Sequence, residues 1–576
     1  MNFFVFKLPF LLELFFNGFF ILVYSLVKLE KIPQIFPART FEFFLNGGVY
    51  VVPVIIFFNI LANFYKRSSF DDFVRRYVFS FVVLIPMLIA YGDLEFTFWL
   101  SSAHLLSSVL SLYDDKSSDD SEETSKTSKN FFQILALKPA QMVLFSFGSV
   151  IAIGTFLLML PISSASGESL GLIDSLFMAT SATCVTGLSV LSLGDDYSFF
   201  GQVVILTLIQ IGGLSIMTLY ASMTLLLGKS MGMKGRVLMQ DVLDVGSLED
   251  LFELIVDIIK YALVIELWGA MVLTLAFIFD GMDFTGALYS GVFHSISAFC
   301  NAGFSLFNTS LESYSTRPWI HGTVAILVTL GGLGFIVLKE MKQAFKNRWK
   351  FNELTLHTRV VLVVSFFLTF SGAVILFFSE FLYALDPYSL WEKTQIALFH
   401  SVTLRTSGFN TIPMTDFQIY SISFMLIFMF IGGAPGSTAG GIKVTTFAIL
   451  FQSTKATLLG RKKVTLFDRT IVSPTVVKST AITFMTLMFF CCFFLLLLAF
   501  EREQNFFTLF FEAFSALGTV GLSLGVTDSL TAPGKTVIMI LMFIGRIGPL
   551  TLLLAIAQRS GTRGKFDYPE GRIMIG

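Results

Sequence analysis

Long apolar runs separated by short polar stretches fill the 576-residue chain. Many runs reach 18 residues or more, the length at which an α-helix can cross a hydrocarbon core. From about residue 131 the pattern repeats four times. Each unit has an apolar run, a shorter apolar segment ending in a Ser/Thr/Gly-rich turn, and a third apolar run. The pattern predicts an all-α membrane protein. Each unit reads as a helix outward, a short re-entrant pore helix with its loop, and a helix back inward. The repeats occupy 131–228, 229–342, 343–453 and 454–576, the last including the C-terminal tail. About four extra N-terminal transmembrane helices are predicted in 1–113, near 10–27, 43–64, 76–92 and 95–113. The stretch 114–130 is acidic and Ser-rich, and reads as a solvated cytoplasmic linker.

The four turns resemble one another. They read SATCVTGLS (Ser181 to Ser189), AFCNAGFSL (Ala298 to Leu306), TLRTSGFNT (Thr403 to Thr411) and SALGTVGLS (Ser515 to Ser523). Each centres on one glycine, Gly187, Gly303, Gly408 or Gly521, with spacings of 105 to 116 residues. Non-helical backbone at membrane depth is tolerated only inside protein or against water, so four such loops are expected to share one interior. Their carbonyls can replace the hydration shell of a cation. Glycine lets backbone approach an ion closely.

Charge gives the sidedness. The segments 228–256, 339–360, 453–478 and 558–576 hold 19 Lys and Arg, and the intervening 161–200, 280–320, 380–420 and 501–535 hold 5. Basic loops stay in the cytoplasm, so the glycine loops are expected on the outer side and both termini inside. Only 14% of residues are charged, against about 25% in soluble domains, and a net charge of −1 gives no footprint for nucleic acid. The four cysteines and five histidines show no metal-ligand spacing. A membrane enzyme would need a carboxylate, His or metal cluster at one interface, and the sequence offers none.

A second repeat follows each loop glycine by 25 to 29 residues: IGGLS (Ile211 to Ser215), LGGLG (Leu330 to Gly334), IGGAP (Ile431 to Pro435) and IGRIG (Ile544 to Gly548). Gly213, Gly332, Gly433 and Arg546 align. Small residues here mark close packing, or line a pore. In the third unit the motif continues as IGGAPGSTAGG (Ile431 to Gly441), which cannot continue a helix. It is a candidate gate below the loop glycines, formed by Gly432, Gly433, Pro435, Gly436, Ser437, Thr438, Gly440 and Gly441. Lys443 follows it. A charge at mid-helix is costly and functional by default. Arg546 is expected to bond carbonyls of the broken segment, to repel cations at the gate, or to pair with an acid such as Glu266.

At these residues the chain resembles the Trk/Ktr/HKT superfamily of K⁺ transporters, over roughly 135–576. LIQIGGLSIMT (Leu208 to Thr218), FHSISAFCNAGFS (Phe293 to Ser305), LRTSGFNT (Leu404 to Thr411), GSTAGGIKVTTF (Gly436 to Phe447) and FIGRIGPLT (Phe543 to Thr551) carry the likeness. YPEGRIMIG (Tyr568 to Gly576) and GTVGLSLGVT (Gly518 to Thr527) turn it toward the Ktr membrane subunit. The first 113 residues have no counterpart there, and Cys184 stands where threonine is common. The resemblance implies K⁺ uptake across the cytoplasmic membrane by a homodimer with one pore per subunit. It also implies a cytosolic regulatory ring that binds ATP/ADP or NAD. Na⁺ coupling, channel-like flux and a Trk-type assembly stay open. The implied ligand is K⁺, with Na⁺ as a second cation and no organic cofactor on this chain.

The implied filter carbonyls are those of Val185, Thr186 and Gly187; Asn301, Ala302 and Gly303; Thr406, Ser407 and Gly408; and Thr519, Val520 and Gly521. Four glycines in the ring imply K⁺; in the family, serine at the first position goes with Na⁺. Asp174, Asp195, Asp196, Glu312 and Glu512 are expected around the outer mouth, where they raise local cation concentration. Asp174 and Glu512 are also expected as caps near pore-helix starts. His294 and His400 are expected to pack and hydrogen-bond behind the loops.

Overall fold

The computed structural model describes residues 139–214, 248–346, 351–549 and 551–552, with short stretches between 16 and 104. The linker at 114–130, the helix expected at 76–92 and the tail beyond 552 lie outside the described residues, as does most of the other N-terminal helices. By contact density the chain divides into one unit of Met1–Ile134 with Leu157–Gly171 and another of Leu135–Phe156 with Leu172–Gly576. The second carries every candidate site residue.

The described helices fall into four successive groups. The first unit has α1 (Pro139–Leu158), the short α2 (Leu172–Thr183) and α3 (Phe199–Gly213). The second has α4 (Leu248–Phe279), α5 (Phe284–Phe299), α6 (Pro318–Leu333) and α7 (Phe335–Lys346). The third has α8 (Leu356–Glu380), α9 (Leu390–Thr403), α10 (Ile419–Phe430) and α11 (Val444–Leu458). The fourth has α12 (Ser473–Phe500), α13 (Phe506–Gly518) and α14 (Ala532–Ile547). A two-stranded hairpin, β1 (Thr465–Leu466) and β2 (Arg469–Thr470), precedes α12.

Val256–Phe279 of α4, together with α8 and α12, is long and apolar enough to cross a membrane. α6 and α7 pass the same test only as a pair, bent by 103°. The bend falls on Gly334 at φ +89°, where a side chain would be strained. Apolarity faces outward: Leu267 of α4, Phe366 of α8 and Phe484 of α12 are each about two-thirds exposed or more. The short helices invert this pattern, burying Ser175 and Ser181 of α2, Ser290 and Ser297 of α5, Ser401 of α9 and Ser515 of α13. A helix polar on its buried side needs an interior that uses polarity.

Caps fix where the short helices start. Asp283 caps α5 by accepting from the Gly286 N–H, Ser389 and Glu392 form a capping box on α9, and Asn505 caps α13. Each short helix packs against the returning helix of the preceding unit: α5 on α3, α9 on α6, α13 on α10, and α2 on α14. The last contact joins the fourth unit to the first, so the packing order is circular.

Candidate functional site

All four short helices end in the same distortion. The residue two before each loop glycine is left-handed: Val185 at φ +56°, Asn301 at +60°, Thr406 at +67° and Thr519 at +51°. Three of these are β-branched, for which this conformation is a genuine outlier. Such strain persists only where surroundings enforce it, and it clusters at functional sites. Hydrogen bonds back to the helix enforce it here. Thr186, Ala302 and Val520 donate their N–H groups to the carbonyls of Ser181 (2.9 Å), Ser297 (2.8 Å) and Ser515 (2.8 Å). The Ser181 and Ser515 hydroxyls accept from Gly187 and Gly521. The third loop differs: Val402 replaces the serine, and the Ser407 N–H reaches the Thr403 carbonyl at 3.0 Å.

The next residue, the one before each glycine, turns its carbonyl toward a neighbouring loop. A Cβ on Gly187 would collide with the Ala302 carbonyl oxygen. One on Gly303 would lie 2.5 Å from the Ser407 oxygen, and one on Gly408 would lie 2.8 Å from the Val520 oxygen. One on Gly521 would collide with the Thr186 oxygen. These contacts run from loop one to two, three, four and back to one. The structure thus brings the four loop glycines and the residue before each into one closed ring with a carbonyl at each joint, and a Cβ on any of the four glycines would wedge it open. The hydroxyls of Thr186, Thr406, Ser407 and Thr519 are buried without a protein hydrogen-bond partner.

The second glycine repeat supports this ring from behind. A Cβ on Gly212, Gly331 or Gly545 would strike the carbonyl of Thr183, Phe299 or Leu517, each four residues before its loop glycine. The packing glycine is thus the one preceding Gly213, Gly332 and Arg546. In the third unit Gly432 packs on the Gly440 carbonyl instead, because the chain there turns back on itself.

That turn is a closed loop rather than a kink. A parallel bridge pairs Ile431 with Ile442. Gly432 donates to the Ile442 carbonyl (2.9 Å) and Val444 to the Gly433 carbonyl (3.1 Å). Inside, the Ser437 hydroxyl donates to the Ala434 carbonyl and Lys443 Nζ to the Ala439 carbonyl at 2.7 Å. The loop is also pinned from outside. Ala434 and Thr438 donate N–H groups to Gly332 and Gly331 of α6, and the Thr438 hydroxyl lies 3.2 Å from the Phe299 carbonyl and 3.3 Å from Asn301 Oδ1. Gly440 abuts the Thr519 hydroxyl. The 431–442 loop therefore touches two of the four glycine loops directly.

Arg546 crosses this assembly. It is only 7% exposed. Nη1 donates to the Thr438 carbonyl and Nη2 to the Gly212 carbonyl, so one guanidinium joins the loop, the first returning helix and the fourth. The acid expected as an alternative partner is engaged elsewhere: Glu266 accepts from Gln210 Nε2 at 3.0 and 3.2 Å.

The outer residues are more structural than their charges suggest. Asp174 sits in the first turn of α2 and pairs with Lys535 at 2.7 Å. Glu512 is not at a helix start. It lies mid-way along α13, fully buried, accepting from Ser523 and Thr527. Asp195 accepts from Asn308, and Asp196 from the Ser192 N–H. Glu312 accepts from Asn410 at 2.7 Å. Partial burial raises its pKa, the Asn410 amide opposes this, and Asp416 adds to it. His294 bonds Ser290 and Ser305, and His400 bonds Thr411, as expected for packing residues.

Sequence reasoning missed Arg405, although it lies inside the third loop motif. It is buried, with Nη2 3.0 Å from Ser365 Oγ and Nη1 3.4 Å from the Ser365 carbonyl. The corresponding residues of the other loops are Cys184, Cys300 and Gly518. A lone charge in one of four otherwise uncharged positions was the available signal.

The model of the TrkH family, described as cation transport protein, matches residues 120–562. The chain belongs to the TrkH family. Among relatives, it is 38% identical over 440 residues to the Ktr system potassium uptake protein B of Bacillus subtilis, covering 76% of this chain and 97% of that protein. It is 34% identical to the potassium/sodium uptake protein NtpJ of Enterococcus hirae, covering 76% and 98%. The crystal structure of the potassium transporter TrkH from Vibrio parahaemolyticus shares the fold, with a TM-score of 0.59 at 19% identity over 84% of this chain and 98% of that one. These relatives are named as transporters rather than enzymes, and the TrkH-family match takes in all four glycine loops.

Proposed function

We propose that this chain carries K⁺ into the cell through the ring of four glycine loops, and that the 431–442 loop gates the path. The closed ring of carbonyls carries this reading: a glycine contact between each pair of successive loops sets the ring's width through backbone alone, and such rings substitute for an ion's hydration shell. The twelve loop residues are the filter, and the 431–442 loop, Lys443 and Arg546 form the gate. The Lys/Arg bias supports loops facing outward and termini in the cytoplasm. The relatives' names support a Ktr-like assembly, which on this reading is a homodimer on a cytosolic nucleotide-binding ring. The name of the Enterococcus hirae relative supports Na⁺ as a second transported or coupling ion.

Purified chain in liposomes tests this. ⁸⁶Rb⁺ should accumulate against a K⁺ gradient without valinomycin, and external Na⁺ should compete weakly. Flux indistinguishable from empty liposomes, with or without the regulatory partner, would sink the proposal. Shortening the 431–442 loop by removing Gly436–Gly440 should raise resting flux several-fold and blunt its response to the partner. A folded deletion with unaltered flux reduces the loop to a structural element.

A further inference from the structure

α7 is not simply the continuation of α6. The chain turns through 103° at Gly334, and α7 then runs as a separate amphipathic segment. Val337 and Leu338 are buried, while Lys339, Glu340 and Lys342 form its polar side. Its first residue touches the 431–442 loop: the Phe335 N–H donates to the Gly436 carbonyl at 3.1 Å. Gly334 lies so close to that loop that a Cβ there would be 2.9 Å from the Pro435 oxygen.

Farther along, three contacts tie α7 to longer helices. Lys339 pairs with Asp257 of α4 at 2.8 Å, and Lys342 Nζ stands 4.9 Å from the ring centre of Tyr261, also on α4. Glu340 reaches α8, whose N-cap is Thr355. Its carboxylate accepts from the Thr355 N–H at 2.5 Å, from the Thr355 hydroxyl at 2.8 Å and from the Thr358 hydroxyl. A carboxylate on the first turn of a 25-residue helix also gains from the helix dipole.

We propose that α7 is a lever joining the polar surface beside the α8 N-terminus to the 431–442 loop, and that Glu340 is the positioning residue that latches it in the resting state. The inference rests on the reading of that loop as the gate. α4 and α8 are membrane-length helices and serve as fixed posts. α7 is short and joined to α6 through a glycine hinge, the arrangement found where small residues absorb a dihedral change. Swinging α7 off the α8 N-terminus moves Phe335, and with it the Gly436 end of the loop. The lever reaches the loop at Gly436, while the loop meets the glycine ring farther along, at Thr438 and Gly440, so the lever is expected to act on flux and to spare ion discrimination.

The test uses the full chain in liposomes without a partner. Glu340→Gln weakens the latch by removing the charge, and Thr358→Val removes one donor. Each should raise resting ⁸⁶Rb⁺ flux several-fold at unchanged Rb⁺/Na⁺ preference, and the double variant should add little to Glu340→Gln alone. In a Cys491→Ser/Cys492→Ser background, Asp257→Cys and Lys339→Cys bridged by a short bifunctional thiol reagent should lower resting flux, with recovery when a cleavable linker is reduced. Resting flux unchanged in folded latch variants and after bridging overturns the lever. A changed ion preference in Glu340→Gln also overturns it, since α7 would then act on the ring. If the Gly436–Gly440 deletion is also silent, the gate reading has failed; if only the α7 variants are silent, the lever alone has failed.

Discussion

Gly187→Ser should abolish most discrimination between K⁺ and Na⁺. The new Cβ lands on the Ala302 carbonyl oxygen, one of the four joints of the ring, at φ +93°, where an L-residue is strained by about 1–2 kcal/mol. The ring must widen or tilt at that joint. Loss of about 1.4 kcal/mol of differential binding is about a tenfold change in preference, and a displaced ligand oxygen is expected to cost at least that. Parallel uptake of ⁸⁶Rb⁺ and ²²Na⁺ into liposomes reads it directly. Unchanged preference removes Gly187 from the proposed filter. Gly408→Ser should be milder, since its Cβ has 2.8 Å to the nearest oxygen.

Arg546→Gln should raise maximal K⁺ flux several-fold with ion preference intact. At roughly 6 Å and an effective dielectric of about 20, one unit charge raises a cation's energy by about 2.8 kcal/mol, close to a hundredfold in rate; partial screening reduces the measurable gain. Glutamine keeps a donor for one of the two carbonyls, Thr438 or Gly212, and leaves the other unsatisfied. A lost buried hydrogen bond costs about 1–3 kcal/mol, so the melting temperature should fall by a few degrees while the protein stays folded. Unaltered flux in folded protein makes Arg546 a tie between helices and nothing more.

Much of this site could be read in the chain because it is built from backbone. Glycine spacing locates Gly187, Gly303, Gly408 and Gly521, and the Ile431 to Gly441 composition rules out a helix; neither depends on a partner chosen at long range. Side-chain partnerships were harder. Glu512 carries the same charge as Asp174 and was expected near a helix start at the mouth, yet it lies mid-helix beneath Ser523 and Thr527. Nothing local distinguishes a carboxylate that meets solvent from one that meets two hydroxyls folded back over it. Arg546 was offered carbonyls and Glu266 alike, and Gln210 took Glu266. The 103° turn at Gly334 has no local signature in the sequence. LGGLG reads as a packing motif, and the Pro435 and Gly436 carbonyls that crowd Gly334 come from the third unit, far along the chain.

One polypeptide builds the whole ring, and that changes what selection can do with charge. In a pore assembled from four copies, every substitution is made four times. An arginine at the Arg546 position would then set four positive charges about the path, and four terms of about 2.8 kcal/mol would close it to cations altogether. Here Arg546 occurs once, opposite glycines, and Arg405 once, level with two cysteines and a glycine. If the ring is the cation path proposed above, each would set a single positive charge beside it. On that reading, a substitution in one unit alters one quadrant of the ring and leaves the other three as they were.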